Sequence, residues 1–166
     1  MTTWERQARA LVDELQRFLI ANTDCCRRAR FSSVAPQLGI RSGRRIRGRA
    51  TLADRDVFDA RKSPQGIARG CWPMERWGNG PRPDMTFFSE RDYYEIPLDC
   101  LRPLELDNVL VAGRCFSASA GAMSSARVIG TALATGWAAG AAAAGQALGR
   151  PSEEAVETIR KQMEQA

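Results

Sequence analysis

The chain has 166 residues, 44% of them hydrophobic and 26% charged, with a formal net charge of +5 and no histidine. This length supports a domain with its own core, and the composition is that of an ordinary globular protein rather than a disordered one. The lack of imidazole excludes histidine metal sites and every mechanism that uses histidine as a general base. The basic excess lies in the first fifty residues, with eleven arginines from Arg6 to Arg49 against Glu5, Asp13, Glu14 and Asp24. A basic patch suits an anionic partner. Lysine, however, occurs only at Lys62 and Lys161. Arginine thus replaces lysine throughout, and no nucleic-acid partner is expected. The five cysteines show no C-x-x-C spacing, and the adjacency of Cys25 and Cys26 makes a shared metal or bridge awkward. With no secretory-type run at the N-terminus, reduced thiols, a cytoplasmic location and no metal site are expected.

In chain order, Thr2 to Asn22 predicts an amphipathic helix. Thr2 and Glu5 have capping-box spacing. Trp4, Ala8, Leu11, Val12, Leu15, Phe18 and Leu19 share one face that needs a partner surface. Phe31 to Leu52 is punctuated by Pro36, Gly39, Gly43 and Gly48, which predicts short strands and turns. Asp54 to Ala60 predicts a short helix capped by Asp54. A strand is expected around Ile67, Ala68, Cys71 and Trp72, then a Gly/Pro loop from Gly78 to Asp84. Tyr93 to Pro97 reads as another strand. The substrate-side strands between 37 and 97 are expected to form a small antiparallel or mixed sheet.

Asn108 to Ala112 (NVLVA) is short, apolar and β-branched, which predicts a doubly buried central strand. Gly113 to Ser125 predicts a small-residue loop, and a helix follows from about Ala126 to Leu148, stopped by Gly149 and Pro151. Val128 to Gly149 holds 22 residues without a charge. That length suits a bilayer span, but the run is mostly Ala and Gly, so a tightly packed helix outside any membrane is expected. Ser152 is expected to cap a last helix with Ala155, Val156, Ile159 and Met163 on one face. Small residues just before a helix N-terminus let a ligand approach free backbone N–H groups at the positive end of the helix dipole. On spacing alone, 108–148 fits such a site or a small-residue helix packed on a sheet.

NVLVAGRCFSASAGAMSSARVIGTALATGWAAGAAAA resembles the C-terminal flavin segment of a family of bacterial FAD-dependent oxidoreductases, in the glutathione-reductase-like class and nearer its fumarate-reductase branch. GIRSGRRIRGRATLADRDVF, IARGCWPMERW and YYEIPLDCLRP resemble upstream parts of that family in the same order. The resemblance implies FAD as cofactor and a small-molecule substrate. It implies that Ala112, Gly113 and Arg114 run beside the ribityl chain and pyrophosphate. It places the backbone of Arg127, Val128 and Ile129 at the flavin pyrimidine edge. Arg41 and Arg45 fall in the arginine-rich motif, where they line the substrate side or act as ion-paired structural arginines.

Two features depart from the family pattern. No G-x-G-x-x-G follows a strand, so the βαβ unit that holds the ADP half is absent. The family's histidines are replaced, with Ala120 in the loop before the flavin helix and PMERW after Trp72. The expected fold is therefore mixed α/β, a partial FAD/NAD(P)-binding-type fold with a small substrate-domain sheet and no N-terminal Rossmann βαβ unit. Residues 1–100 would form a helix plus a substrate-domain-like part. Residues 101–166 would give the C-terminal strand and helices of the FAD-binding domain. The expected function is the C-terminal portion of an FAD-dependent oxidoreductase. The alternative is a non-catalytic remnant, or a subunit that completes an FAD site with a separate N-terminal FAD-binding half. Exposed strand edges and the uncovered first helix also predict a homo-oligomer or partner.

Overall fold

A computed structural model describes residues 2–78, 82–88 and 92–165. The chain separates into two compact units, 1–41 and 42–166. In the first, α1 spans Thr3–Asn22. Thr2 accepts from the Glu5 N–H at 3.2 Å, and the Glu5 carboxylate accepts from the Thr2 N–H at 2.7 Å, which forms the expected capping box. None of its residues is fully buried, and Trp4, Leu11, Leu15 and Phe18 stay exposed. A 3-10 turn, Asp24–Cys26, follows. The Arg9 guanidinium donates to the Pro36 carbonyl at 3.3 Å and ties the later loop to the helix.

The strands expected between Phe31 and Leu52, a stretch that straddles the two units, do not form. Only single bridges form there, Gly48 with Pro103 and Leu52 with Ala118. The glycines and arginines of this stretch supply few side chains that a sheet face can bury. Helix α2 is Asp54–Phe58. Asp54 is its first residue and not its cap; the carboxylate that bonds back to the Ala53 N–H, at 2.8 Å, is that of Asp56.

The strands are β1 (Gly66–Gly70), β2 (Met74–Arg76), β3 (Asp84–Thr86) and β4 (Tyr94–Pro97). They make two antiparallel ribbons, β1 with β4 and β2 with β3. Arg69 pairs with Glu95 and Gly70 with Tyr94 in the first ribbon, while Glu75 faces Met85 in the second. The loop expected over Gly78–Asp84 lies partly outside the described residues, and its last residue opens β3.

Helices α3 (Ala120–Ala126), α4 (Ile129–Ala147) and α5 (Ser152–Gln165) complete the unit. The β1–β4 ribbon packs against α4 and α5, while α3 lies on α2 and β2. Tyr94, Phe116, Leu52, Ile67, Ile96, Leu98, Leu101, Met123 and Ile159 fill the core between them. Each such side chain, fully removed from water, contributes about 2 kcal/mol. The face expected on α5 packs inward, with Val156 and Ile159 buried and Ala155 and Met163 against them.

Two expectations for 108–148 are corrected. Residues 109–112 form no strand and are half-buried. Their described backbone bond runs from the Val111 N–H to the Leu101 carbonyl at 2.9 Å. A β-branched sequence needs neighbouring strands to become a sheet, and here the neighbours are missing. The expected helix is present as α4, but the expected loop Gly113–Ser125 holds a further helix, α3, and the two axes bend by 93°. Among the described residues no single helix is long and apolar enough to cross a membrane; α3 and α4 reach that length and composition only together, across this bend.

Candidate flavin-edge site

The corner between α3 and α4 organises the site. Ser119 caps α3, its side chain accepting from the Ala122 N–H at 3.2 Å. The same N–H reaches the Asp54 carboxylate at 2.9 Å, and the Ser119 hydroxyl donates to that carboxylate. Arg76 pairs with Asp54 at 3.0 Å. The Ser119 hydroxyl, the Ala122 N–H and Arg76 hold the Asp54 carboxyl below the usual carboxylate range, against burial, which raises it. Gly121 makes this contact possible, since a Cβ there would lie 2.5 Å from Asp54 Oδ2.

Arg127 closes α3. Its N–H donates to the Met123 carbonyl at 3.0 Å, so that donor is already used. Its guanidinium donates to Glu75 of β2 at 2.8 Å, with both side chains mostly buried. Glu75 also accepts from Trp77 Nε1 at 2.6 Å, and its own N–H donates to Ser124 at 2.9 Å. The corner is thereby latched to the β2–β3 ribbon.

Val128 is the N-cap residue of α4 and makes no side-chain capping bond. The first bond of the helix runs from the Ala132 N–H to the Val128 carbonyl at 2.9 Å. The N–H groups of Ile129, Gly130 and Thr131 precede it and have no acceptor within the helix. Ile129 is 80% exposed, and Leu133 and Trp137 continue its face. Gly130, Gly136 and Gly140 have open space where a side chain would project. This 19-residue helix thus presents an uncapped positive end and a thin, uncovered surface.

Gly113 is set beside α4. Its φ is +65°, in the left-handed region that favours glycine, and its N–H donates to Thr135 Oγ1 of α4 at 3.2 Å. The buried Thr135 hydroxyl donates in turn to the Thr131 carbonyl at 3.0 Å. Ala112 is extended and half-buried, and Arg114 is exposed within the 3-10 turn Gly113–Cys115. Arg45 is half-buried and donates to the Ser119 carbonyl at 3.3 Å, which brings it to the start of α3. Arg41 is exposed and ends the first unit, whereas Arg45 belongs to the second.

Sequence reasoning missed Asp54, Glu75, Ser119 and Thr135 as the residues that position this corner. Ser119 carried a signal, a serine three residues before an N–H of a small-residue run. The other three meet their partners only across the fold. A cavity of about 540 Å³ lined by Arg49, Asp99, Arg102, Ser152 and Arg160 contains none of the expected site residues. Its arginines are already engaged, Arg49 with Asp107, Arg102 with Asp99 and Ser152, and Arg160 with Glu95. Among the described residues no cluster of three or more acidic or thiol side chains can hold a metal ion.

A left-handed glycine turn thus lies against the first turns of a small-residue helix whose N-terminus has no side-chain cap. Residues 1–161 match the family described as FAD dependent oxidoreductase, and the chain belongs to that family. Its cofactor is FAD. No curated protein and no solved structure matches the chain. The residues present fit one end of FAD. The N–H groups of Ile129 to Thr131, which have no acceptor within the helix, the open surface of Gly130 and the turn at Gly113 suit the isoalloxazine and ribityl part. The sequence contains no G-x-G-x-x-G, the motif that holds the pyrophosphate in a βαβ unit.

Proposed function

We propose that the chain contributes the flavin-edge helix and part of the substrate side of an FAD-dependent oxidoreductase, and that polypeptide outside these residues holds the ADP half. When bound, FAD would supply the two-electron chemistry, exchanging a hydride or electron pair with a small organic substrate. The backbone N–H groups from Val128 to Thr131 would stabilise negative charge at the pyrimidine edge. Ala112, Gly113 and Arg114 would follow the ribityl chain, with Thr135 fixing the turn. Arg45, next to α3, would face the substrate side; for Arg41 the same role is supported by the resemblance of the arginine-rich motif alone. The side chain of Arg127 would act indirectly, by holding the corner through Glu75.

The observation that carries this reading is Gly113 held by Thr135 beside the uncapped start of α4. The unpaired stretch 109–112 supports the need for further polypeptide. So does the groove of about 480 Å³ between Asn108, Leu110 and the Ala139–Ala147 part of α4. We place the chain nearer the fumarate-reductase branch of its family on the resemblance of its flavin segment. We place it in the cytoplasm because its five cysteines are all free thiols.

Titrating the purified chain with FAD and following flavin fluorescence tests the reading. Weak or absent binding is expected. Stoichiometric binding at micromolar concentration would overturn the need for an outside ADP-binding part. Co-expression with a G-x-G-x-x-G-containing half is expected to yield a yellow complex, while colourless separate proteins would count against completion by a separate chain.

A further inference from the structure

We propose that Cys25 and Cys26 form a bidentate dithiol site for trivalent, thiophilic arsenic, with the organic group of an organoarsenical seated in the adjoining apolar cleft. Sequence adjacency alone makes a shared ligand awkward. The 3-10 turn changes this. The Cys26 N–H donates to the Thr23 carbonyl at 2.9 Å and the Arg27 N–H to the Asp24 carbonyl at 3.3 Å. That winding brings the two Sγ atoms to 3.9 Å. A disulfide would require them to close to about 2.05 Å, whereas a single bridging atom fits between sulfurs at the observed separation. Thiolate sulfur is the soft donor such a centre selects.

The second observation is independent of the sulfurs. A cleft of about 210 Å³ opens beside Cys26, lined by Val12, Leu15, Leu19, Ala29 and Phe31. Its walls are predominantly apolar, so it suits an aryl or alkyl substituent rather than a hydrated ion. Cys25 is exposed and Cys26 half-buried, so a reagent reaches both from the solvent side. The contact with Cys25, followed by burial, raises the Cys26 thiol above its ordinary value. Cys26 therefore meets the reagent with its S–H intact. With phenylarsine oxide, two S–H bonds break, two S–As bonds form, and the oxygen leaves as water with both thiol protons. Arsenic stays trivalent and no electrons are transferred.

Mass spectrometry of the full chain with phenylarsine oxide tests this site. The expected product is a one-to-one adduct that has lost one water, survives excess glutathione and is removed by 1,2-ethanedithiol. Cys25→Ser and Cys26→Ser should each weaken binding by about 10²-fold, the gain expected when the second contact is intramolecular. Cys71→Ser and Cys115→Ser should leave it unchanged. Phe31→Ala should weaken phenylarsine oxide and spare inorganic arsenite; equal effects on both would overturn the cleft assignment. A test without substitutions is protection from iodoacetamide, in which the adduct should shield Cys25 and Cys26 but not Cys71 or Cys115. An adduct that glutathione strips, that persists undiminished in either serine variant, or that leaves Cys25 open to alkylation overturns the proposal.

Discussion

The Arg127 guanidinium and the Glu75 carboxylate meet at 2.8 Å, 13% and 16% exposed, and their pairing fixes the corner from which α4 starts. Taking either charge away alone leaves the other poorly solvated.

Glu75→Ala is therefore expected to cost about 3 kcal/mol, the usual result of stranding one half of a buried pair. The double variant Glu75→Ala with Arg127→Met should lose less than Glu75→Ala alone, because no unpaired charge remains. Urea unfolding of wild type, Glu75→Ala, Arg127→Met and the double variant measures the coupling. Additive losses would show that the pair does not act as a unit.

Asp54 and Gly121 should behave as one element. Gly121→Ala places a Cβ against the Asp54 carboxylate and is expected to cost about 2 kcal/mol, within the range for overpacking. In an Asp54→Ala background, where the obstructing oxygens are gone, the same change should cost much less. Asp54→Ala alone removes an acceptor from the α3 terminus, a loss of roughly 1 kcal/mol. Its pH dependence has a definite sign. The Ser119 hydroxyl, then the Ala122 N–H and Arg76, depress the folded carboxyl. The unfolded chain thus takes up the proton first as pH falls. The contribution is full above roughly pH 4 and is lost as pH falls through the folded value. The stability gap between wild type and Asp54→Ala should narrow over that acid range; a gap that widens on acidification would contradict the assignment.

Two buried groups contribute to stability on the alkaline side. Burial pushes the Tyr94 hydroxyl up to about 12, with the Ser125 bond at 2.8 Å opposing the shift. Burial likewise pushes the Cys100 thiol up to about 12. Both are raised above their unfolded values, so the unfolded state releases protons first as pH rises. Their contribution is complete below about pH 9 and drains away towards pH 12. Tyr94→Phe should flatten the upper part of this decline and Cys100→Ala the lower part. Absorbance titration should show one of the two tyrosines ionising only near pH 12.

Gly113→Ala tests conformation without a clash, because the nearest atom to the added Cβ is that of Ala132 at 3.9 Å. The left-handed backbone should cost about 1 kcal/mol. Thr135→Val instead removes the acceptor of the Gly113 N–H, again for about 1 kcal/mol or more. Thermal unfolding of each variant measures both. In a reconstituted yellow complex, both changes should also speed flavin loss, since they loosen the same turn.

Much was legible in the sequence because it depends on neighbours along the chain. The Thr2–Glu5 box, the 3.6-residue stripes of α1 and α5, the strands at Ile67 and Tyr94, and the stop at Gly149 and Pro151 are local signals, and each produced its element. The small residues from Gly113 to Gly140 also carried the resemblance to the family that the chain belongs to. Tertiary structure decided the rest. NVLVA has the side chains of a buried strand, yet strand formation needs neighbouring strands, and among the described residues this segment pairs with none. Asp54 looks like the cap of its own helix, but its carboxylate serves α3, which is distant in sequence. Arg127 is singled out for its backbone alone, and its side-chain pairing with Glu75 has no local signal. Those pairings are set by where whole elements pack, and a periodicity or a cap motif carries no information about that.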